Sequence, residues 1–598
     1  MIERITIRIK PETDEVYIPD SIAEKSDKLL VRETKYFYRD LDILTVIRSR
    51  FTNTRRYIIK SSKGFPKEIK MYIDPGSSSF TLEYSGDLCI ARGDRILVIK
   101  GRHMRCYNEN NIGPFKISET ENIPALENNF LKILVKASPD KICEDHLIIS
   151  DPKAEISDDV LRDLFQRLSK GYHEDGLIWA LIRSGRVSRD VLPNFIEDEQ
   201  AYYWPRGDLL RKSFHNWYLF DNEYSLQIYT EILQQIIDQM SDSGGVAIPY
   251  ITAARRSNIY GSPQQLYLFE SLYRAYQILG VEELRSRALN ALRCYTEQPP
   301  KCLGFYEAGD GIWFRWGSYH YLSRDPEGRE DLYVLNTHLM GLVGFSEAWL
   351  FDGCMWCKEY ALKGLRGLMN LLGEFQRRDG YLYYSLFNKE IYGELEDQIM
   401  PHTLGYHTLS SRYILRISYL LNKQDLVRYG DLGCRYSLEK YFGGRRDIRD
   451  ELIRCLLELY RAMREKRSLE IIDEVLRTEP WPPLRILGLE INEIMDNIIP
   501  PKIISANNNS TILLIENKKD EALYYIYPSG IDKIVLSKKI FLNRKIVEIK
   551  DLEIENYYTQ DPSGNILFKK SQDSRFEVEL NKTKSIIIRL YISNNLTQ

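Results

Sequence analysis

Between about Ala201 and Pro500, apolar residues return every three or four positions in stretch after stretch, and no other feature limits the fold as tightly. Leu266, Phe269, Leu272, Tyr276 and Leu279 form one stripe, Leu335, Leu339, Leu342 and Phe345 another, and Cys357, Ala361, Leu365 and Leu368 a third. Residues so spaced share one face of a helix, and each such face needs a partner to bury it. Ser243-Gly-Gly, Arg378-Asp-Gly and Phe442-Gly-Gly interrupt the stripes at positions suited to helix ends. Pro500-Pro501 closes the series, since two prolines cannot continue a helix. A bundle, a solenoid and an α/α toroid all satisfy this pattern.

The flanks read differently. Residues 1–151 carry short runs of period two, among them Glu15-Val-Tyr-Ile, Arg56-Tyr-Ile-Ile, Ile69-Lys-Met-Tyr-Ile, Phe80-Thr-Leu-Glu-Tyr and Arg95-Ile-Leu-Val-Ile, with turn residues between them. This predicts an all-β domain. Residues 152–200 read as a helical connector, with Leu161, Leu164, Phe165 and Leu168 on one face. After the polar linker Asn507-Asn-Asn-Ser-Thr, strand-like runs at Ile512, Tyr524, Lys533, Ile546, Phe576 and Ser585 predict a C-terminal β-sandwich over 507–598. The expected fold is therefore multidomain α+β, with a helical domain over 201–500 between two β-rich domains. Either β domain could bind glycan or brace the helices.

Bulk properties exclude several functions. The formal net charge is −3, from 82 basic and 85 acidic side chains, so no large positive field exists for nucleic acid. Met1 to Lys10 alternates apolar and charged residues rather than forming a signal peptide, and no apolar run reaches the ~18 residues of a membrane span. A cytoplasmic protein with no membrane span is expected. Nine cysteines in 598 residues suit reduced thiols, and Cys354 and Cys357 read as helix residues without a metal or redox role.

Chemistry concentrates in one stretch. His320, His338, His402 and His407 lie there with Tyr319, Tyr321, Tyr383, Tyr384 and Tyr406. Their spacing does not match a zinc helix, so no metal is expected, and dinucleotide, P-loop and serine-hydrolase motifs are missing, so no cofactor is expected either.

The segment Val334-Leu-Asn-Thr-His-Leu-Met-Gly-Leu-Val-Gly-Phe-Ser-Glu-Ala, together with Gly405-Tyr-His-Thr-Leu, resembles the C-terminal domain of the D-glucuronyl C5-epimerase family. Gly244-Gly-Val-Ala-Ile-Pro, Gln265 with Arg274-Ala-Tyr276, and Asp379-Gly-Tyr-Leu-Tyr-Tyr-Ser-Leu fall in the family's order across roughly 244–420. The family's acidic pair is absent, its place taken by Trp313-Phe-Arg-Trp-Gly-Ser-Tyr-His-Tyr321, and Tyr384-Ser385-Leu386 lacks the family's acid. The resemblance implies an α/α toroid, a uronate-containing glycan as partner, and exchange of the proton at C5 of a uronic acid residue. A homodimer is compatible with it.

Such exchange needs an acid/base group on each face of the sugar and cations or donors on the substrate carboxylate. Tyrosine serves if neighbouring positive charge lowers its ordinary pKa of about 10. On this view Tyr406 works on one face and Tyr319 or Tyr321 on the other, with Tyr384 polarising or stacking the sugar. His407 and His320 hydrogen-bond the phenols, Arg315 meets the carboxylate, Asn336 reaches a ring hydroxyl, and Gln265 joins the substrate contacts. Each has a plainer reading: Tyr406 and His407 as a helix's first turn, Tyr319 and Tyr321 as hairpin residues, Asn336 as a packing bridge, Arg315 as a surface ion pair. Two rival functions remain. A glycoside hydrolase or lyase would use acids such as Glu307, Asp310, Asp379 and Glu394, and a non-catalytic glycan-binding or assembly protein would need neither set.

Overall fold

Alternation of apolar and polar residues along the N-terminal strands builds two sheets around a common core. The computed structural model describes residues 4–10, 15–62, 66–75, 79–85, 88–107, 118–136, 138–152, 223–246, 248–252, 255–259, 261–299, 301–317 and 333–478, with the backbone of the strands between 486 and 592. The connector expected over 152–200 falls, beyond Pro152, outside these residues. The chain divides into two units, Met1–Gln239 with Pro249–Asn258, and Met240–Ile248 with Ile259–Gln598.

In the first unit, a five-stranded sheet runs in the order Ala125–Glu127, Phe130–Lys136, Glu68–Ile73, Arg4–Lys10, Glu15–Tyr17. A ten-stranded sheet follows the path Ile22–Asp27, Val31–Tyr38, Leu41–Ser49, Arg55–Ser61, Ile142–Ser150, Leu97–Gly101, Leu88–Arg92, Thr81–Ser85, with His103–Tyr107 and Ser118–Glu121 attached. Ile7, Ile9, Ile69, Met71 and Ile133 from one sheet share a buried cluster with Ile59, Leu147 and Ile149 from the other. A charged pair sits among the apolar residues. Lys100 Nζ lies 3.0 Å from Asp145 Oδ1 and donates to the carbonyls of Gly101 and Asn122, each at 2.7 Å. These bonds offset the cost of taking two charges out of water, although burial still pushes the Asp145 carboxyl up.

Helix α1, Glu223–Gln239, belongs to this unit rather than to the helical array, so the first unit is not all-β. Gln227, Glu231 and Gln234 recur at helical spacing on one face and dock it on the ten-stranded sheet. Gln227 accepts from Ser49 N at 2.8 Å and donates to Ile47 O at 3.2 Å, Gln234 accepts from Leu30 N at 2.8 Å, and Glu231 pairs with the buried Arg56.

The second unit is a series of helical hairpins. Its helices are α2 Ser262–Leu279, α3 Glu282–Arg293, α4 Leu335–Asp352, α5 Met355–Phe375, the short α6 Leu386–Tyr392 and α7 Glu396–Ile399, then α8 Thr403–Leu420, α9 Gln424–Phe442, α10 Arg449–Met463 and α11 Arg467–Thr478. Within each hairpin α2 packs on α3, α4 on α5, α8 on α9 and α10 on α11, while α2, α4, α8 and α10 also pack one on the next. Two rows result. The first-row helices are covered on more than one side, and α4 is buried without a break from Leu335 to Ala348. The second-row helix α5 buries only a stripe, including Cys357, Ala361, Leu365, Leu368 and Leu372.

Buried charges join the first row at its C-terminal half. Arg416 of α8 donates to Glu347 of α4 at 2.9 Å and to Glu458 of α10 at 3.4 Å, and Arg461 donates to Glu458 at 2.5 Å. At the other end, the hairpin Phe305–Ala308 with Gly311–Phe314 lies so close to α5 that a Cβ on Gly367 would stand 2.1 Å from Ile312 O. Past Thr478, strands between Ile486 and Ile592 form a seven-stranded and a four-stranded sheet, and include the runs read as strands in the sequence.

The expectation of reduced thiols is overturned. Cys106–Cys143, Cys294–Cys302, Cys354–Cys357 and Cys434–Cys455 are disulfides, and Cys89 alone is free and buried. Folding brings together Cys106 and Cys143, and Cys434 and Cys455, which lie 37 and 21 residues apart, while Cys354 and Cys357, read as helix residues without a redox role, are paired as well. Such a set suits an oxidising compartment or the interior of a hyperthermophile's cell. Among the described residues no helix is long and apolar enough to cross a membrane.

Candidate functional site

The N-terminal ends of α4 and α8 carry the densest group of the residues singled out in the sequence. The chain entering α4 is tied to the chain entering α6 by the bridge Val334–Ser385, with Leu335 N donating to Tyr384 O at 3.0 Å and Leu386 N to Tyr333 O at 3.3 Å. Ser385 then caps α6, its hydroxyl accepting from Asn388 N. This clamp sets Tyr384 beside the first turn of α4. The Tyr384 and Tyr406 rings lie 5.0 Å apart at 47°, with His402 edge-on to Tyr406 at 6.4 Å. Tyr406 is 41% exposed, open to solvent rather than sunk in hydrocarbon.

Asn336 occupies the first turn of α4, one residue past the clamp. It is only 4% exposed, yet its Oδ1 has no hydrogen-bond partner among the described residues. A buried amide oxygen left unpaired costs about 1–3 kcal/mol, so the position calls for a functional explanation. Behind Tyr384 lies Glu396, fully buried, accepting from Asn388 Nδ2 at 2.7 Å and from Tyr384 N at 3.3 Å. Burial raises its carboxyl above the usual range. Its place beneath the clamp makes it a support for Tyr384.

Two residues expected at the substrate serve the fold instead. His407 is 1% exposed, with Nδ1 accepting from Leu382 N at 2.8 Å and Nε2 donating to Gly433 O at 3.0 Å. Both ring nitrogens are spent, and burial pushes the imidazole down to about 4. His407 therefore has nothing to offer a phenol or a sugar. Gln265 in the first turn of α2 accepts from Val246 N at 3.3 Å and donates to Val246 O at 3.1 Å, which fixes the turn at Gly244. That turn needs glycine. Gly244 has φ +86°, and a Cβ there would stand 1.8 Å from Asn290 O.

Arg315 is half-buried, its guanidinium 3.9 Å over the Tyr306 ring, and Tyr306 is in turn 6.4 Å from Tyr333. Tyr306 and Tyr333 were not singled out in the sequence, although Tyr333 directly precedes the α4 stripe. Tyr319, His320 and Tyr321 lie outside the described residues.

The acids available to a hydrolase are committed elsewhere or exposed. Asp379 takes a bidentate pair from Arg377 at 2.8 and 2.7 Å; partial burial would raise its carboxyl, but these bonds outweigh burial and hold it low. Arg377 also reaches Asp397 at 3.1 Å and the Tyr436 hydroxyl at 3.0 Å, and Lys440 closes on Asp397 at 3.0 Å. Asp310 accepts from Asn370 Nδ2 at 2.9 Å. Glu307 and Glu394 are exposed.

No protein-family model and no curated protein matches the chain. Among solved structures, a cellobiose 2-epimerase from Bacillus thermoamylovorans B4167 aligns at TM-score 0.34 and 14% identity over 45% of this chain and 74% of that one. A family 76 glycoside hydrolase from a bovine Bacteroides thetaiotaomicron strain aligns at 0.34 and 10% over 67% and 89%, and a D-mannose isomerase at 0.32 and 10% over 45% and 73%. Likeness at this level carries no weight for activity.

Proposed function

We propose that the chain acts on a carbohydrate at the N-terminal ends of α4 and α8, in a helical array that forms part of an α/α toroid. The finer reading is a uronate C5-epimerase working on a uronate-containing glycan. One tyrosine, as its phenolate, takes the C5 proton and becomes a phenol, the electron pair moves into the adjacent carboxyl group as an enolate, and the phenol of a second tyrosine on the opposite face returns a proton to C5 and is left as the phenolate. Tyr406 is the first tyrosine and Tyr319 or Tyr321 the second, while Tyr384 stacks on the sugar or polarises it. Asn336 supplies the amide for a ring hydroxyl, and Arg315 swings from Tyr306 to the substrate carboxylate.

The observation that supports this reading is the buried Asn336 Oδ1, without a hydrogen-bond partner among the described residues, near the half-buried Tyr384 and the solvent-open Tyr406. Two parallel helix N-termini at the same place favour an anionic substrate and its enolate. The test is incubation with uronate oligosaccharides in heavy water. Deuterium should enter at C5, and Tyr406→Phe should abolish uptake while leaving binding within about twofold, as expected for a group that acts in the transition state. Chain cleavage without deuterium uptake would instead identify a hydrolase or lyase, and binding without either reaction a glycan-binding protein.

A further inference from the structure

The turn between α4 and α5 carries a disulfide unlike the other three. Cys354 and Cys357 are separated by three positions, against 37, 8 and 21 for Cys106–Cys143, Cys294–Cys302 and Cys434–Cys455. A bridge restricts the unfolded chain less as its loop shortens, so this one adds least to the fold. The turn is also held by backbone bonds. Cys354 N donates to Ala348 O at 3.2 Å, Gly353 N to Trp349 O at 3.1 Å and Lys358 N to Cys354 O at 3.2 Å. Opening the bridge leaves these bonds in place.

Solvent comes closest to this bridge. The cysteines of the other three are at most 3% exposed, Cys354 is 7% exposed, and Met355 between the paired residues is 68% exposed. Gly353, on the other side of Cys354, is exposed and has open space where a Cβ would stand. Cys357 is fully buried. A thiol arriving from solvent therefore meets Cys354 first.

The surroundings of Cys354 favour its thiolate. It is the N-cap residue of α5, a helix with no side-chain cap and no acid in its first turn. The first N–H groups of a helix lack intrahelical partners and carry partial positive charge. Lys358 adds a full charge one turn along the same face, its Nζ 5.1 Å from the ring of Trp349 in the last turn of α4. The neighbouring acids are drawn to other cations, Asp352 to Arg285 at 2.6 and 2.9 Å and Glu359 to Lys363 at 2.6 Å. A thiolate stabilised in this way is a good leaving group.

We propose that Cys354–Cys357 is a thiol–disulfide exchange site that accepts two electrons from a dithiol. One thiolate of the dithiol attacks Cys354 Sγ, the bond to Cys357 Sγ breaks, and Cys357 leaves as a thiolate and is protonated. The second thiolate of the dithiol then attacks the dithiol sulfur of the mixed disulfide, and Cys354 leaves with the electron pair, held by the helix N-terminus and Lys358. The dithiol ends as a disulfide and the protein as two reduced cysteines. The same steps in reverse oxidise the pair. The site lies at the other end of α4 from Asn336, and it stands or falls independently of the carbohydrate reading.

The test is differential alkylation of the full chain without denaturant. The protein is equilibrated in mixtures of reduced and oxidised dithiothreitol, blocked with iodoacetamide, and each cysteine's labelled fraction is read by peptide mass spectrometry. Cys354 and Cys357 should open together at a ratio of reduced to oxidised reagent at least tenfold lower than any other bridge requires. In Cys357→Ser, alkylation of Cys354 should reach half its maximal rate below about pH 7.5, against about 8.5 for an ordinary thiol. Adding Lys358→Gln should slow alkylation by this neutral reagent at least threefold at pH 6, which a purely structural lysine would not do. If Cys357→Ser misfolds, the order in which the native bridges open still decides. Three results would overturn the assignment: opening no sooner than the other bridges, opening only when denaturant is added, or a half-maximal rate at Cys354 no lower in pH than that of an ordinary thiol.

Discussion

His338 and His407 do the same work at two successive steps of the helical array. In each, Nδ1 accepts from a backbone N–H, that of Phe314 at 3.1 Å or Leu382 at 2.8 Å, and Nε2 donates to the carbonyl of a glycine 26 residues onward, Gly364 or Gly433. Each ring also stacks on an aromatic side chain, Trp313 at 4.0 Å or Tyr381 at 4.9 Å. A backbone N–H on one side and a carbonyl on the other fix the neutral tautomer with the proton on Nε2. Gln265 fills the corresponding place in α2 with an amide. The device ties the chain before a first-row helix to that helix, and in the histidine cases also to the second-row helix that follows.

Acid should therefore loosen the array before most carboxylates titrate. Burial pushes His338 down to about 3 and His407 down to about 4, from an ordinary 6.5. The unfolded chain takes up these protons first as pH falls, so stability present above 6.5 is lost on the way down to those values, by about 1.4 kcal/mol per pH unit for each histidine. His407→Gln, which copies the amide of Gln265, should cost about 1–2 kcal/mol at pH 7 and remove one histidine's share of the slope. Unfolding in denaturant at pH 7, 6 and 5 reads this directly; an unchanged slope in the variant would refute it.

The reach of sequence reasoning is visible in these residues. The stripe Leu335, Leu339, Leu342, Phe345 announces α4 because apolar spacing is a local property. Tyr384 and Tyr406 were singled out together by local motifs and do meet. His407 and Gln265 show the limit of such reading, because their residue types are visible in the sequence and the backbone groups they bond are not. The same holds for Gln227, Glu231 and Gln234. A polar helix face reads as solvated until strands some 180 positions away supply its hydrogen bonds. The cysteines fail for a related reason, since pairing depends on which strands and helices become neighbours.

Arg416 should be a sensitive position in the second unit. It is 2% exposed and stands between Glu347 and Glu458, themselves buried. Arg416→Met would take away the buried cation that bridges Glu347 and Glu458, at a cost of about 3–5 kcal/mol. Adding Glu347→Leu should restore part of that loss, because removing both charges also removes the need to solvate them. Thermal unfolding of the single and double variants measures both. A loss near zero for Arg416→Met would show that water reaches the network.

Asn336→Leu separates a functional residue from a structural one. If the amide waits for a ligand, replacing it with an apolar side chain of similar size removes an unsatisfied buried group and should stabilise the free protein by about 1–2 kcal/mol, while C5 exchange falls by tenfold or more. A packing bridge would show the opposite, with stability falling and no selective loss of exchange. Unfolding temperature and deuterium uptake on the same preparation decide between the two.

The disulfides should differ in worth. Cys106–Cys143 spans 37 residues and Cys354–Cys357 spans three. In the chain-entropy account, closing the longer loop restricts the unfolded chain by about 4 kcal/mol and the shorter by about 2. Replacing Cys106 and Cys143 by serine should therefore lower the unfolding temperature more than the same change at Cys354 and Cys357. Cys106 and Cys143 are also buried between strands, so a reductant reaches them only when the sheet opens, whereas Cys354, at the start of α5 and 7% exposed, is nearer the surface. Thiol titration in denaturant checks the premise: Cys89 alone should react before reduction and all nine cysteines after it. Nine reactive thiols in the unreduced protein would mean that the bridges do not form, and the stability ranking would have no basis.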